Sequence, residues 1–142
     1  ALAGLLRAGD VVTLSGPLGV GKTSLVRSLL HASGHKGEVP SPTFAIVQPY
    51  DLARLPVVHA DLYRLTSPDE IAEIGWDEVS DRALLIVEWP DRLDGALSGD
   101  RLEIVLTLAP GRGPNARNAV LVGHGTWGPR LERLVALRGF LD

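Results

Sequence analysis

Apolar positions along the chain fall into short continuous runs, and these alternate with stretches of helical spacing. "VVTLS" (11–15) is a β-branched run of strand length. In "GKTSLVRSLLHA" (21–32), Leu25, Val26, Leu29 and Leu30 lay one apolar stripe along a helix. "SGHKGEVPSPTF" is rich in Ser, Gly and Pro and predicts a loop. Three strands are then expected: "FAIVQPY" (44–50), stopped by Pro49, "PVVHADLYRL" (56–65) and "ALLIVEWP" (83–90), the most apolar of all. Between them "SPDEIAEIG" (67–75) has the grammar of a short helix, with Ser67 as cap, Pro68 in first position, Glu70 three after the cap and Gly75 as stop. "DRLEIVLTLA" (100–109) and "RNAVLVGHG" (117–125) predict two strands joined by a hairpin-type loop, and "WGPRLERLVALRGF" predicts a closing amphipathic helix.

Strands interleaved with helices imply an α/β fold in one domain over residues 1–142. Its central sheet is expected to be mainly parallel, with an antiparallel edge formed by the last two strands. Repeats and low-complexity tracts are absent from the sequence. A chain of 142 residues that is 45% apolar can bury one core without staples. The sequence has no cysteine, which excludes disulfides, thiolate zinc sites and cysteine nucleophiles and fits a reducing, cytoplasmic setting. "ALAGLLRAGD" is too short for a secretory signal and carries Arg7 and Asp10; no apolar run reaches the ~18–20 residues of a membrane span. The chain does not start with Met, so its N-terminus is expected to lie upstream.

Charge changes the picture modestly. The net charge is −3, but residues 51–100 hold twelve acids against four arginines, and residues 109–142 hold five arginines against two acids. That asymmetry suits a protein partner or a polar cleft better than a nucleic-acid groove, although solvated faces that merely differ account for it equally well. The five C-terminal arginines are compatible with a nucleic-acid contact.

The chemistry concentrates where the first strand meets the first helix. Gly16-Pro17-Leu18-Gly19-Val20-Gly21-Lys22-Thr23 matches G-x-x-x-x-G-K-(S/T) in full, after a strand and opening a helix, which is the arrangement a P-loop requires. Glycines let the backbone turn its amides inward at a helix start, where a polyphosphate binds. Lys22 adds a point charge for the β- and γ-phosphates, and the Thr23 hydroxyl is placed for Mg²⁺. Leu18, Gly19, Val20, Gly21, Lys22, Thr23 and Ser24 are therefore the expected nucleotide contacts. A P-loop also needs an acid opposite the metal, and two strands end in one: Asp61 after "PVVHA" and Glu88 after "ALLIV". Glu88 could hold Mg²⁺ or orient an attacking water, and Asp61 is the second candidate for either role. Thr43 in "SPTF" could reach the metal or γ-phosphate, or could sit in a plain turn.

Other signals add little. The four histidines lack metal-ligand spacing. His59, two residues before Asp61 on one strand face, either orients that acid or packs in the core. Trp76 and Trp127 read as core or interface, whereas Trp89 beside Glu88 is a candidate site residue. A guanine-reading Asn-Lys-x-Asp is absent from the sequence, so GTP is not the expected nucleotide.

Taken together, "LSGPLGVGKTSLVRSLL", "VPSPTFAIVQPY", "VVHADLYRL", "EIGWDE" and "LLIVEWPDR", in this order and spacing, resemble the TsaE (YjeE) family over roughly residues 5–140. The resemblance implies a three-layer P-loop fold and a small Mg²⁺-dependent ATPase, slow alone. Such an ATPase is required for threonylcarbamoylation of adenosine 37 in tRNAs that read codons beginning with A. It also implies action on a complex of TsaD and TsaB, with tRNA met only through that complex. In this pattern Lys22 and Thr23 serve phosphate and Mg²⁺, Thr43 belongs to a switch-like loop, and Asp61 belongs to the catalytic or partner-facing site. Glu88 is the Mg²⁺-linked acid, and Trp89 is its aromatic neighbour. The pattern departs at Pro17, where the family often has an acid, and at the start, where the family's first strand is not found. A P-loop small-molecule kinase and a nucleotide-gated binding module are the alternatives.

Overall fold

The most apolar run of the sequence lies inside the sheet, flanked by parallel strands on both sides. The computed structural model describes residues 2–39, 47–64, 81–93 and 99–141. In chain order the elements are α1 (Leu2–Leu5), β1 (Val11–Ser15), α2 (Lys22–Ala32), β2 (Val47–Asp51), β3 (Pro56–Asp61), β4 (Leu84–Glu88), β5 (Arg101–Leu108), β6 (Arg117–His124) and α3 (Trp127–Leu141). The strands form a six-stranded sheet in the order β2-β3-β4-β1-β5-β6. β3, β4, β1 and β5 run parallel, and β2 and β6 flank them antiparallel. Every position of β4 is buried, as a strand covered on both faces requires.

The antiparallel hairpin of β5 and β6 is the expected one. β2 differs from expectation in two ways. It is antiparallel as well, because residues 52–55 are too few for a parallel crossover, which takes about a dozen. It also runs through Pro49 rather than stopping there, with Pro49 opposite Val58; an edge strand tolerates proline because one of its sides needs no ladder bond. The helix expected over 67–75, with Trp76, lies outside the described residues.

One face of the sheet carries the larger core. Val12, Leu14, Val57, Leu84, Ile86, Leu102 and Ile104 pack there against Val26, Leu29 and Leu30 of α2 and against Trp127 of α3. Val11, Val58, Ala60, Leu85 and Val87 form a second cluster on the opposite face. Two arginines tie the N-terminal segment down. Arg54 donates to the carbonyls of Ala3 (2.5 Å) and Leu6 (2.8 Å), which satisfies acceptors that so short a helix leaves over. Arg130 holds both carboxylate oxygens of Asp10 at 2.7 Å, donates to the Leu5 carbonyl and stacks over the Trp127 ring. Among the described residues no helix is long and apolar enough to cross a membrane.

This topology brings the carboxyl ends of β1, β4 and β3 side by side. Leu14 is in register with Glu88, and Glu88 with Asp61. The loop that leaves β1 therefore opens onto two acids.

Candidate functional site

The loop between β1 and α2 is shaped by its glycines. Gly16 has φ 148, and a Cβ there would lie 2.5 Å from the carbonyl oxygen of Leu106 in β5. Gly16→Ala is expected to lower stability by about 1–3 kcal/mol, measured by urea denaturation, since both the backbone angle and the neighbouring strand oppose it. Gly21 caps α2 from the left-handed region (φ 111), with no side-chain cap and no acid in the first turn. The first amides of the helix thus face outward with no anion from their own helix beside them.

Lys22 lies at the centre of this loop and is 5% exposed. Its Nζ donates to the carbonyls of Gly16 (2.7 Å) and Pro17 (3.1 Å) and sits 4.1 Å from the centroid of the Trp89 ring. Burial lowers its pKa, against the opposing pull of the Glu88 and Asp61 charges. Trp89 is the one non-glycine with positive φ among the described residues (φ 59), a strained backbone placed where β4 ends. Its N–H donates to the Leu14 carbonyl at 3.3 Å, and its ring packs on Tyr63 at 4.9 Å. The turn beyond Glu88 thereby aims an indole at the lysine.

Glu88 is 2% exposed and held from two elements. The Thr23 hydroxyl of α2 lies 3.2 Å from both carboxylate oxygens, and His59 Nε2 of β3 lies 2.5 Å from Oε2. Asp61 turns elsewhere: its Oδ1 accepts the Tyr63 amide at 3.1 Å. Burial raises its pKa; the Tyr63 amide opposes that, and the nearby Glu88 charge adds to it. His59 therefore pairs with Glu88 and not with Asp61, the acid beside it in sequence.

These groups surround a groove of about 260 Å³ lined by Leu18, Gly19, Gly21, Lys22, Thr23, Ser24, Asp61, Glu88 and Trp89. Every one of them is singled out by the sequence reading. Of the other residues of that reading, Val20 is described and is not in the lining. Val20 is 1% exposed with its side chain in the core, its amide donates to Pro17 and its carbonyl accepts Arg117 Nε at 2.8 Å. Its side chain anchors the loop and touches no groove, because an apolar side chain beside Gly16 is drawn under the sheet end. Thr43 lies outside the described residues. Sequence reasoning missed Arg117, whose Nη1 also donates to the carbonyls of Pro114 and Ala116 at 2.9 Å and so clamps the start of β6 to the phosphate loop. It missed Tyr63 as well. No local pattern marks Arg117; Tyr63 stands in the quoted motif "VVHADLYRL" without a role assigned to it.

The donor set fits a cation escorting a polyphosphate. Thr23 and Glu88 offer hard oxygens, and Mg²⁺ is ordinarily held by one or two protein oxygens completed by phosphate and water. The outward amides of α2 and the Lys22 ammonium suit the anion itself.

Residues 1–115 match the family described as "Threonylcarbamoyl adenosine biosynthesis protein TsaE". A Streptomyces coelicolor protein named tRNA threonylcarbamoyladenosine biosynthesis protein TsaE is 41% identical over 128 residues, which cover 87% of this chain and 86% of that one. Proteins of the same name from Rickettsia felis (38% identical, 75% of this chain and 63% of that one) and Bacillus subtilis (37% identical, 75% and 67%) are also similar. The chain thus spans less than two thirds of the Rickettsia felis relative. The crystal structure of Bacillus subtilis YdiB superposes with a TM-score of 0.75 at 28% identity, over 96% of this chain and 83% of the other. A family match over most of the chain, on a fold and a phosphate loop of this kind, leads to one statement: the chain belongs to the TsaE family.

Proposed function

We propose that this chain is a Mg²⁺-dependent ATPase that serves threonylcarbamoylation of adenosine 37 in tRNAs reading codons that begin with A, acting on a complex of TsaD and TsaB homologues. One observation carries the ATPase part: Lys22 and Thr23, adjacent at the start of α2, and Glu88 at the end of β4 converge from two distant places in the sequence on one groove. The pathway and partners are inferred from the family and from the names its relatives carry.

The residues divide the work. The amides opening α2 and the Lys22 ammonium would bind the β- and γ-phosphates of ATP or ADP. Thr23 and Glu88 would hold Mg²⁺, which when bound neutralises phosphate charge. Asp61, with its raised pKa, stands in register beside Glu88 and is suited to accept a proton from the attacking water. Trp89 keeps one flank of Lys22 dry. Arg117 acts at one remove by holding the Val20 carbonyl, and Arg117→Ala is expected to weaken ADP binding roughly fivefold by calorimetry, the equivalent of one lost hydrogen bond of ~1 kcal/mol. Of the C-terminal arginines, Arg117 and Arg130 are bonded inside the chain, which favours tRNA contact through the partner complex.

The test is gel filtration of the chain mixed with TsaD and TsaB homologues, with and without Mg-ATP, followed by ATPase assay of the mixture. Association that depends on ATP, with hydrolysis faster than that of the chain alone, is the expected result. Absence of association in both states would remove the partner assignment. Phosphoryl transfer to a metabolite in a coupled assay would replace it with a small-molecule kinase.

A further inference from the structure

We infer that His59 is the positioning residue that sets the Glu88 carboxylate for its metal, an assignment that rests on the Mg-nucleotide reading above. Three features of the geometry lead to it. The first is where the imidazole lies. His59 is 0% exposed, in a β3 stretch whose neighbours Val57, Val58 and Ala60 are all buried. An apolar side chain would suit such a position, and an imidazole there gives up water at both nitrogens.

The second feature is its single partner. Nε2 lies 2.5 Å from Glu88 Oε2; a carboxylate only accepts, so Nε2 carries the hydrogen and donates it. Among the described residues Nδ1 has no hydrogen-bond partner. Everything polar that this buried ring does, it does through Glu88.

The third is what Glu88 needs. Its place at the end of β4 fixes the Cα, but the terminal carboxylate torsion is soft. Thr23 Oγ1 is equidistant from the two oxygens at 3.2 Å and does not by itself choose between them. His59 does choose: from the neighbouring strand it takes Oε2 and not Oε1, so the two oxygens are no longer equivalent. Asp61, on the same strand face as His59 and in register with Glu88, is held apart by the Tyr63 amide, so the two acids do not compete for the ring. Oriented ligands of this kind govern metal affinity more than phosphate affinity.

The experiment measures ADP binding by calorimetry, with MgCl₂ and with EDTA, for the parent and for His59→Gln, His59→Asn and His59→Leu, with a thermal melt of each. Gln carries an N–H about where His carries Nε2, whereas Asn carries one near Nδ1 and is too short to reach Glu88. Affinity for ADP in EDTA should stay within about twofold in all variants. The gain in affinity that Mg²⁺ brings should fall by about tenfold or more in His59→Asn and His59→Leu, and return to within about threefold of the parent in His59→Gln. If His59→Leu does not fold, the Asn and Gln pair decides the matter. A Mg²⁺ gain that survives in His59→Asn, or that is lost equally in His59→Gln, overturns the assignment. So does a parallel fall of affinity with and without Mg²⁺, which is what a merely structural histidine would produce. A parent protein whose ADP binding ignores Mg²⁺ would instead overturn the metal reading itself, and this inference with it.

Discussion

Lys22→Met is expected to melt above the parent when no nucleotide is present, and nucleotide should no longer raise its melting temperature. Both halves follow from where the ammonium sits. Burial depresses the pKa of Lys22 from its ordinary 10.5, so the fold favours the neutral amine over the charged form. A base with a depressed folded pKa lends stability above its unfolded value and withdraws it as pH falls through the folded value. Below that folded value the charged lysine opposes folding in full. Methionine keeps the apolar stem and removes the charge. Gly16 and Pro17, whose carbonyls lose a donor, are half-exposed and exposed residues, and water is expected to take the donor's place. A gain of ~1 kcal/mol, about 2–4 °C, is expected at neutral pH, shrinking as pH rises toward 10.5. Nucleotide at about 100 times its dissociation constant should stabilise the parent by ~2.7 kcal/mol and the variant not at all. Differential scanning fluorimetry across pH, with and without Mg-ADP, reads both. A variant still stabilised by Mg-ADP would place the phosphates somewhere other than this loop.

Glu88→Ala is expected to separate hydrolysis from binding. Turnover should fall by about 10²–10³-fold, the usual effect of removing one group that stabilises charge in the transition state. ADP affinity in EDTA should stay near that of the parent, because the loop amides and Lys22 do not depend on the carboxylate. The same change leaves the buried His59 Nε2–H and the Thr23 hydroxyl without their acceptor, which costs about 1–3 kcal/mol of stability. Glu88→Gln keeps an acceptor oxygen in place and should recover most of that stability without recovering turnover. Steady-state ATPase rates beside urea denaturation make the comparison. Parental turnover in Glu88→Ala would take this acid out of the metal site.

How much of this was legible in the chain depends on the range of the signal. The shape of the loop between β1 and α2 could be read because each residue's part is local: glycine for positive φ, lysine for charge, a hydroxyl at the helix start, all within eight positions. β4 could be read because a strand buried on both faces must be apolar throughout. The direction of β2 is legible too, since four intervening residues cannot make a crossover; its passage through Pro49 is not, because that depends on β2 lying at the sheet edge. Asp61 and Glu88 could be assigned to one end of the sheet because each closes an apolar run.

Which acid takes which partner was a different kind of question. Alternation along β3 puts His59 and Asp61 on one face, which offers either an orienting contact with Asp61 or a packed histidine; the ring is buried, and its partner is Glu88. Cross-strand register sets Asp61 opposite Glu88, and the Tyr63 amide draws Asp61 aside. Arg117 is 97 positions from Val20, and nothing in either neighbourhood announces the bond between them. By itself the sequence determined most of the described strands, the glycine-rich turn between β1 and α2 and the place of the two acids at strand ends, since backbone preference and hydrophobic period act over a few residues. Only the tertiary structure decided the pairing of His59 with Glu88, the left-handed turn that lays Trp89 against Lys22 and the clamp on Val20, because those depend on which strands become neighbours and at what offset.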